Sequence, residues 1–324
     1  MKRFAHIDAR TVEEAVSLLQ RYGDGASVIA GGTDLLGRLK DRILPRYPEA
    51  IVNLKTIAGL DFIREEGGTL AIGALTRLHD IATHPTVQRR YAALAEAARR
   101  TASPSLRQMG TLGGNLCQDV RCWYYRCADN RFPCLKKGGG RCYAIDGDNR
   151  YHSIFGGSVE EGCHAVHPSD TAPALIALGA MVKTSKRTVD AESFFEVGVC
   201  RTTILESDEI VTEIQVPEPP AAARSAFSKF ALRKSIDFPI VNCAACIISS
   251  GGRAVAARIC LNAVHVRPRR AIEAEGSIAG RAIDEGSAEA AGAAAVSSAT
   301  PMSGNCYMVQ IAKVLVKRAI LACA

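Results

Sequence analysis

The sequence predicts an α+β fold divided into two units. Helical and strand-like patterns alternate through residues 1–216, whereas alternating apolar and polar residues between positions 226 and 263 indicate antiparallel strands. Pro217-Glu-Pro-Pro220 and the alanines after it have the composition of a linker. We therefore expect a mixed unit at residues 1–216 and a smaller α+β unit at residues 221–324.

The mixed unit is predicted to open with a helix. Thr11 and Glu14 have the spacing of a capping box, and the apolar residues that follow repeat at helical spacing. The predicted strands of the whole chain lie at 27–30, 51–54, 69–74, 181–184, 210–216, 226–232, 241–249 and 255–263. The predicted helices start at Leu35 and at about Leu78, and cover 92–100, 171–180, 282–300 and 307–322.

Charge and composition exclude several kinds of partner. The net charge of +7 comes from basic residues spread among acidic ones, and only 6% of residues are aromatic, so no nucleic-acid partner is expected. No uncharged apolar stretch of about 20 residues occurs, and the N-terminus lacks the apolar run of a signal peptide. We expect no membrane contact and a cytoplasmic location.

Two glycine-rich turns are candidates for binding phosphate. Ala30-Gly-Gly-Thr-Asp-Leu35 lies between a predicted strand and a predicted helix, where exposed N–H groups and the helix dipole favour an anion such as pyrophosphate. Thr111-Leu-Gly-Gly-Asn115 is a second such turn. Together they are suited to the two phosphates of a dinucleotide, although two independent structural turns would have the same pattern.

Half of the twelve cysteines crowd into one segment. Between positions 116 and 167 regular periodicity fails, and a loop this long in a compact domain is usually functional or disordered. This segment contains Cys117, Cys122, Cys127, Cys134, Cys142 and Cys163. Four thiolates on such a loop can hold zinc or a 4Fe-4S cluster, and the spacing alone does not choose between them.

The other cysteines and the histidines carry weaker signals. Cys243 and Cys246 have the spacing of a redox motif, but they lie in an apolar strand-like run, which favours core packing. His164 and His167 are interpreted as loop residues or flavin neighbours rather than metal ligands. Cys117 is interpreted as a buried thiol beside the second glycine turn.

Four motifs in order resemble the FAD subunits and domains of the xanthine dehydrogenase and carbon monoxide dehydrogenase family. They are Ala30-Gly-Gly-Thr-Asp-Leu35, Thr111-Leu-Gly-Gly-Asn115, Ser169-Asp-Thr-Ala-Pro-Ala-Leu175 and Phe227-Ser-Lys-Phe-Ala-Leu-Arg233. The resemblance implies an N-terminal FAD-binding domain of the vanillyl-alcohol-oxidase (PCMH) type and a C-terminal domain of the carbon monoxide dehydrogenase flavoprotein type. No catalytic residue is expected on this chain.

The same resemblance implies where the cofactor binds. The pyrophosphate would lie against Ala30, Gly31, Gly32, Thr33, Asp34, Leu35 and Leu36, joined by Thr111, Gly114 and Asn115. Thr101 would lie near the flavin, and Asp170 and Lys229 would contact other parts of FAD. Lys229 could offset phosphate charge or hydrogen-bond the flavin. Asp170 could instead be only the N-cap of the helix that follows it.

The cysteine-rich segment, placed at about 117–166, resembles the insertion of 4-hydroxybenzoyl-CoA reductase flavin subunits, which carries a 4Fe-4S cluster. The resemblance gives Cys122, Cys134, Cys142 and Cys163 as the ligands. This sequence differs in the additional Cys127, which could replace Cys122, and in a longer interval between Cys142 and Cys163.

The function implied is electron transfer within a larger molybdenum enzyme. The chain has no molybdopterin or 2Fe-2S motif, so a molybdopterin-binding large subunit and a small subunit with 2Fe-2S clusters are expected as partners, with an external donor or acceptor such as ferredoxin. In the resembled reductase, a partner subunit removes a phenolic hydroxyl from an aromatic CoA thioester. The alternatives are the FAD subunit of a xanthine, aldehyde or CO dehydrogenase-type hydroxylase, and a zinc-stabilised binding protein.

Overall fold

The first layer of the protein is a three-stranded parallel sheet. The structure, a computed structural model, describes residues 1–157 and 162–324. The sheet and its helices comprise β1 (Ala5–Asp8), α1 (Val12–Tyr22), β2 (Ala26–Ile29), α2 (Leu35–Lys40) and β3 (Ala50–Asn53), with strand order β1-β3-β2. The first glycine turn therefore leaves the carboxyl end of β2, an edge at which α/β proteins bind ligands.

A second layer is a five-stranded antiparallel sheet in the order β4-β5-β8-β6-β7, covered by short helices. Its elements along the chain are β4 (Ile63–Glu66), β5 (Thr69–Gly73), α3 (Leu78–Thr83), α4 (Pro85–Arg90), α5 (Ala92–Arg99), α6 (Pro104–Arg107), α7 (Leu112–Leu116), α8 (Thr171–Ala177), β6 (Met181–Thr184), β7 (Thr188–Asp190) and β8 (Val211–Pro217). The apolar faces of α3, α5 and α8 bury a common core with β5, β6 and β8.

The C-terminal part is an antiparallel sheet backed by helices. Its elements are β9 (Ala223–Phe230), β10 (Val241–Ser250), β11 (Arg253–Asn262), β12 (Arg269–Arg270), α9 (Ile272–Ile278), α10 (Glu285–Ala295) and α11 (Tyr307–Leu321), with strand order β12-β11-β10-β9. Cys243 lies in the core between this sheet and α11, which confirms its packing role. Cys246 lies on the opposite face of β10, because side chains three positions apart in a strand point to opposite sides.

The fold class is confirmed, but several local predictions need correction. Thr11 Oγ1 accepts a hydrogen bond from the N–H of Glu14 at 3.1 Å, whereas the Glu14 carboxylate accepts from the N–H of Arg10, so the expected capping box is only half formed. The long C-terminal helix expected at 282–300 is confined to α10, which starts after an Asp284 cap. The sequence missed the strands β1, β4, β7 and β12 and the helices α4, α6, α7 and α9, which are short elements. The second glycine turn is in fact the start of α7, with Thr111 as its N-cap.

The cysteine-rich segment has a small core of its own. Arg121 and Val166 form an isolated antiparallel bridge, so the chain leaves and returns at one place. Between them only short turns occur among the described residues, yet Tyr125 and Cys163 pack in a buried cluster that also includes Ile43. The segment is therefore not held by metal ligands alone. Residues 158–161 lie outside the described part of the chain.

Within the described residues, no helix combines the length and apolar character needed to cross a membrane.

Candidate functional site

The two glycine turns meet in space. A Cβ atom on Gly31 would lie 1.9 Å from the carbonyl oxygen of Met109, just before the second turn. Gly32 has a φ of +73°, a left-handed conformation that strongly favours glycine. The Thr33 hydroxyl lies 3.7 Å from the position of a Cβ on Gly110. The backbones of both turns are thus in close contact, as the sequence pattern predicted for a joint cradle.

Side chains of the second turn are fixed by the protein itself. Thr111 caps α7 by accepting a hydrogen bond from the N–H of Gly114 at 3.2 Å. The side-chain oxygen Oδ1 of Asn115 accepts hydrogen bonds from Ser169 Oγ at 2.5 Å and Thr171 Oγ1 at 2.6 Å. The turn is therefore rigidly tied to the segment that contains Asp170, and it leaves Gly114 exposed to solvent.

Asp170 and Lys229 form a buried ion pair. The Lys229 ammonium lies 2.7 Å from Asp170 Oδ2, and the two side chains are only 4% and 3% exposed. Lys229 also donates to the carbonyl of Arg100, and Asn242 donates to the other Asp170 oxygen at 2.7 Å. Burial raises the pKa of Asp170, and Lys229 opposes that rise. Each residue thus neutralises the other rather than presenting a free charge to a ligand.

The alternative reading of Asp170 as a helix cap is wrong. Asp170 stands at the N-cap position of α8, but its side chain makes no capping hydrogen bond. Ser169 Oγ accepts the N–H of Ala172 at 3.0 Å instead. Thr101, the residue expected near the flavin, is buried at the end of α5, where its hydroxyl donates to the carbonyl of Ala97.

The four predicted ligand cysteines line a single pocket. Cys122, Cys134, Cys142 and Cys163 face it together with Tyr125, whereas Cys127 is not among its lining residues. The N–H of Tyr125 donates to Cys122 Sγ at 3.5 Å. Hydrogen bonds of this kind are found on the cysteine ligands of iron–sulfur clusters, where they tune the sulfur.

Burial and backbone hydrogen-bond donors have opposite effects on the pKa of these thiols. Burial raises the pKa of Cys122 and Cys163 to about 12, and the N–H groups of Tyr125 and Ala165 oppose the rise. Burial also raises the pKa of Cys134, opposed by the Lys137 ammonium and by backbone donors that follow it. Metal binding would replace the thiol protons, as metal ligation by cysteine requires.

The spacing within the pocket does not suit a single metal ion. Tetrahedral zinc with four sulfurs would need them about 3.8 Å apart, given its bond length of about 2.3 Å. Across residues 1–157 and 162–324, no three His, Cys, Asp or Glu side chains are grouped so as to hold one ion. A 4Fe-4S cluster binds each cysteine through a different iron, so it does not require the four sulfurs to converge on one ion.

Lys137, which the sequence did not single out, is a buried cation in the turn that follows Cys134. Its side chain is 7% exposed, and its Nζ has no hydrogen-bond partner among the described residues. Burial lowers the pKa of Lys137, and the thiols of Cys134 and Cys127 oppose that fall. A buried ammonium without a counter-charge is costly, and four thiolates around a cluster would supply one.

Asp119 joins the cysteine-rich segment to the first glycine turn. Its carboxylate accepts a hydrogen bond from Tyr125 and lies 3.4 Å from Arg38, while its N–H donates to Asp34 at 3.0 Å. Burial alone would raise the pKa of Asp119, but Arg38 and Lys136 lower it to about 2. Arg126 forms a second link, 2.7 Å from Asp34.

These contacts determine what Asp34 contributes to the site formed by the two glycine turns. Both oxygens of its carboxylate bind the cysteine-rich segment, so Asp34 contributes to the turn by fixing its backbone. The sequence alone does not reveal the contact between Asp34 and Asp119, because the two residues are 85 positions apart in the chain.

His152 touches one of the candidate ligands. Its Nε2 lies 3.2 Å from Cys122 Sγ, and the side chain is 1% exposed. Burial, with His164 nearby, lowers the pKa of His152 to about 4. His152 is therefore neutral at physiological pH and can direct a ring N–H at the sulfur. His167 is also buried, against Phe195, and it belongs to no group of three potential metal ligands among the described residues.

Comparisons with known proteins define the family. The family described as the FAD binding domain in molybdopterin dehydrogenase matches residues 2–219, and the CO dehydrogenase flavoprotein C-terminal domain matches residues 225–323. The chain belongs to the FAD-binding subunits, or medium chains, of the xanthine and carbon monoxide dehydrogenase family. It is thus part of a molybdenum hydroxylase-family oxidoreductase, which excludes the alternative of a zinc-stabilised binding protein.

Individual relatives cover nearly the whole chain. The aldehyde oxidoreductase FAD-binding subunit PaoB of Escherichia coli is 35% identical over 97% of this chain and 96% of its own length. The carbon monoxide dehydrogenase medium chain of Hydrogenophaga pseudoflava is 30% identical over 99% of this chain and 96% of its own.

Solved structures agree with the sequence relatives. Carbon monoxide dehydrogenase from Hydrogenophaga pseudoflava superimposes with a TM-score of 0.78 at 30% identity, covering 100% of this chain and 99% of that chain. Quinoline 2-oxidoreductase from Pseudomonas putida 86 gives a TM-score of 0.76 at 27% identity, covering 100% and 98%.

Proposed function

We propose that this chain is an electron-transfer subunit that holds both FAD and a 4Fe-4S cluster. The observation that carries the proposal is the pocket lined by Cys122, Cys134, Cys142 and Cys163. In the turn after Cys134, the Lys137 ammonium has no hydrogen-bond partner among the described residues. In this assignment Cys127 is a free thiol, because it is not among the residues that line the pocket. The domain division would be a FAD unit at 1–216, containing the insertion at about 117–166, and a C-terminal unit at 221–324.

The FAD pyrophosphate would lie against residues 30–36 and the second glycine turn. Close contact between Gly31 and the Met109 carbonyl supports a narrow cradle in which backbone N–H groups face the ligand. Thr111, Gly114 and Asn115 are the contributors from the second turn. Thr101 would border the flavin through its backbone, whereas Asp170 and Lys229 would support the site as a buried pair.

The chain's own residues hold the two cofactor sites together. Bound FAD and a 4Fe-4S cluster would supply one- and two-electron chemistry, which no amino-acid side chain here provides. Tyr125 lines the cysteine pocket and donates to Asp119, whose N–H binds Asp34 in the first glycine turn. These contacts fix the pocket beside the cradle, which is the arrangement that electron exchange between the two sites requires.

The proposed partners are a molybdopterin-binding large subunit and a small subunit with 2Fe-2S clusters. An external donor or acceptor such as ferredoxin would exchange electrons with this subunit. Relatives named as FAD-subunits and medium chains support such an assembly.

Two substrate classes are candidates for the whole enzyme. The cysteine-rich insertion favours a 4-hydroxybenzoyl-CoA reductase-like activity, in which a partner subunit removes a phenolic hydroxyl. Similarity to the subunit of an aldehyde oxidoreductase favours oxidation of an aldehyde. In either case the substrate binds on another subunit. Assays of the complex purified with its native partners, with an aromatic CoA thioester and with aromatic aldehydes, distinguish the two.

Cofactor analysis of the full chain purified alone tests the cluster proposal. Because the chain has no 2Fe-2S motif, any iron with acid-labile sulfide reports on the cysteine pocket. We expect FAD, iron and sulfide together, with the EPR signal of a reduced 4Fe-4S cluster. FAD without iron, after anaerobic purification and reconstitution, would leave an ordinary hydroxylase FAD subunit and overturn the cluster assignment.

A further inference from the structure

Two adjacent lysines near the cysteine pocket are both buried but differ in how their charge is balanced. Lys136 Nζ donates to the carbonyl of Arg201 at 2.9 Å and lies 3.8 Å from Asp119. Lys137 Nζ has no such partner among the described residues and lies 5.5 Å from the centre of the Tyr125 ring. Lys136 therefore has a carboxylate within 4 Å, whereas Lys137 has no acidic partner among residues 1–157 and 162–324.

The surroundings of Lys137 point to the pocket as the place of its counter-charge. Tyr125 lines the pocket, and the turn that carries Lys137 begins directly after Cys134. The Lys137 N–H donates to the backbone carbonyl of Cys134 at 2.8 Å. Lys137 is thus held beside one candidate ligand by its backbone, with its ammonium near Tyr125, although Lys137 itself is not among the residues that line the pocket.

A fixed positive charge affects the two redox states of a cluster unequally. Reduction adds one negative charge to a cluster that already carries net negative charge with its thiolates. A buried cation nearby stabilises the reduced state more than the oxidised state, because screening by water is weak there. Charge and hydrogen bonding around the cluster are known determinants of its potential.

We propose that Lys137 is a positioning residue that raises the reduction potential of the cluster held by Cys122, Cys134, Cys142 and Cys163. The inference rests on the proposed 4Fe-4S cluster. It assigns to Lys137 an electrostatic role in electron transfer and none in contacting the substrate. Lys136 lines the pocket, but Asp119 offsets part of its charge, so it contributes less to the potential.

The test is an EPR-monitored redox titration of the full chain and of its native complex. We expect Lys137→Met to shift the midpoint potential of the 4Fe-4S signal to more negative values. Lys137→Arg, which keeps the charge, should restore a potential close to that of the wild type. Arg141→Gln is the matched control, because Arg141 adjoins Cys142 but is exposed to solvent, so its removal should change the potential little.

The outcomes separate this inference from the proposal on which it rests. Absence of a 4Fe-4S signal from the wild type would overturn the proposed cluster itself. A cluster present in Lys137→Met with an unchanged potential would overturn only the role of Lys137. Should Lys137→Met lose iron, Lys137→Gln is titrated instead. Loss of iron from both neutral variants but not from Lys137→Arg would also overturn the potential-setting role and make the residue one of cluster assembly.

Discussion

Lys229 illustrates how a charge that the sequence assigns to a ligand can be used inside the protein. Its motif is the one that predicts a cofactor contact, yet its ammonium is paired with Asp170 in a nearly water-free environment. Removing one member of such a pair leaves the other charge buried and unpaired. The first role of Lys229 is therefore to stabilise the fold, and any contact with the flavin is secondary.

We accordingly expect Lys229→Ala to destabilise the protein by about 3–5 kcal/mol, as measured for broken buried pairs. Chemical denaturation followed by circular dichroism measures the effect. The double variant Lys229→Met with Asp170→Asn is the control, since it removes both charges and should recover part of the loss. A single variant as stable as the wild type, but with weak flavin binding, would return Lys229 to the role of a ligand-facing cation.

Gly31 makes a second prediction at this scale. Gly31→Ala should abolish FAD retention, because the new methyl would overlap the Met109 carbonyl and force the two turns apart. Gly37→Ala is the matched control on α2, where a Cβ meets nothing within 4 Å and alanine favours the helix. The flavin-to-protein absorbance ratio decides, and full occupancy in Gly31→Ala would refute the cradle.

At the scale of elements, the cysteine-rich insertion combines a cysteine-lined pocket with a small apolar core. Cys142 lines the pocket, while Tyr125 and its neighbours pack against Ile43 outside the insertion. The buried cluster gives the segment apolar contacts that do not depend on a metal.

Cys142→Ser should therefore lose iron and sulfide while FAD and most protease resistance are retained. Cys127→Ser is the control, because Cys127 does not line the pocket and should keep wild-type iron. Iron, sulfide and flavin are assayed on both variants, with limited proteolysis of the loop. If Cys142→Ser keeps the wild-type iron content and Cys127→Ser loses iron, then Cys127 rather than Cys142 is a ligand.

Asp119 couples this insertion to the first glycine turn, and its titration gives a pH prediction. Its folded pKa of about 2 is lower than the usual value near 3.8, so its contribution to stability is present above pH 4 and is lost as the pH falls towards 2. The contribution is about 2 kcal/mol. Asp119→Asn should lose correspondingly less stability than the wild type between pH 5 and pH 2 in urea denaturation. Parallel curves for the two proteins would contradict the assignment.

At the scale of the whole molecule, the sequence predicted the two-part α+β architecture, both glycine turns and the four cysteines that share a pocket. Local patterns sufficed for these because each is a short motif. The sequence did not predict the burial of Lys137 and Asp119. A Lys-Lys-Gly run normally indicates a solvated surface, and an isolated Asp belongs to no recognisable pattern. Burial of both depends on contacts between distant segments, which periodicity does not encode.

The insertion also connects the two parts of the molecule. Asn305, in the C-terminal part, donates to the carbonyls of His152 at 2.8 Å and Ser153 at 3.1 Å, and its own oxygen accepts from Met302. Tyr307 and Gly304 bind the insertion as well. The segment that carries the cysteines is thus fastened to both parts.

Asn305→Leu should leave these buried carbonyls without donors, at a cost of about 1–3 kcal/mol for each. Because His152 contacts Cys122, we also expect lower iron retention with FAD content unchanged. Ser303→Ala, which removes only a 3.3 Å contact with Asn149, is the control. Thermal unfolding and iron analysis check both effects; a stable Asn305→Leu variant with full iron would show that the connection is dispensable.

This connection sets an order of events in the making of the protein. The ribosome synthesises all four pocket cysteines well before Asn305, whose side chain holds the backbone of His152 from a position 153 residues further along the chain. Before Asn305 is synthesised, the nascent chain contains the four cysteines, but the backbone of His152 lacks the hydrogen bond from Asn305. We therefore expect loading of the proposed cluster to follow synthesis of Asn305 rather than to precede it.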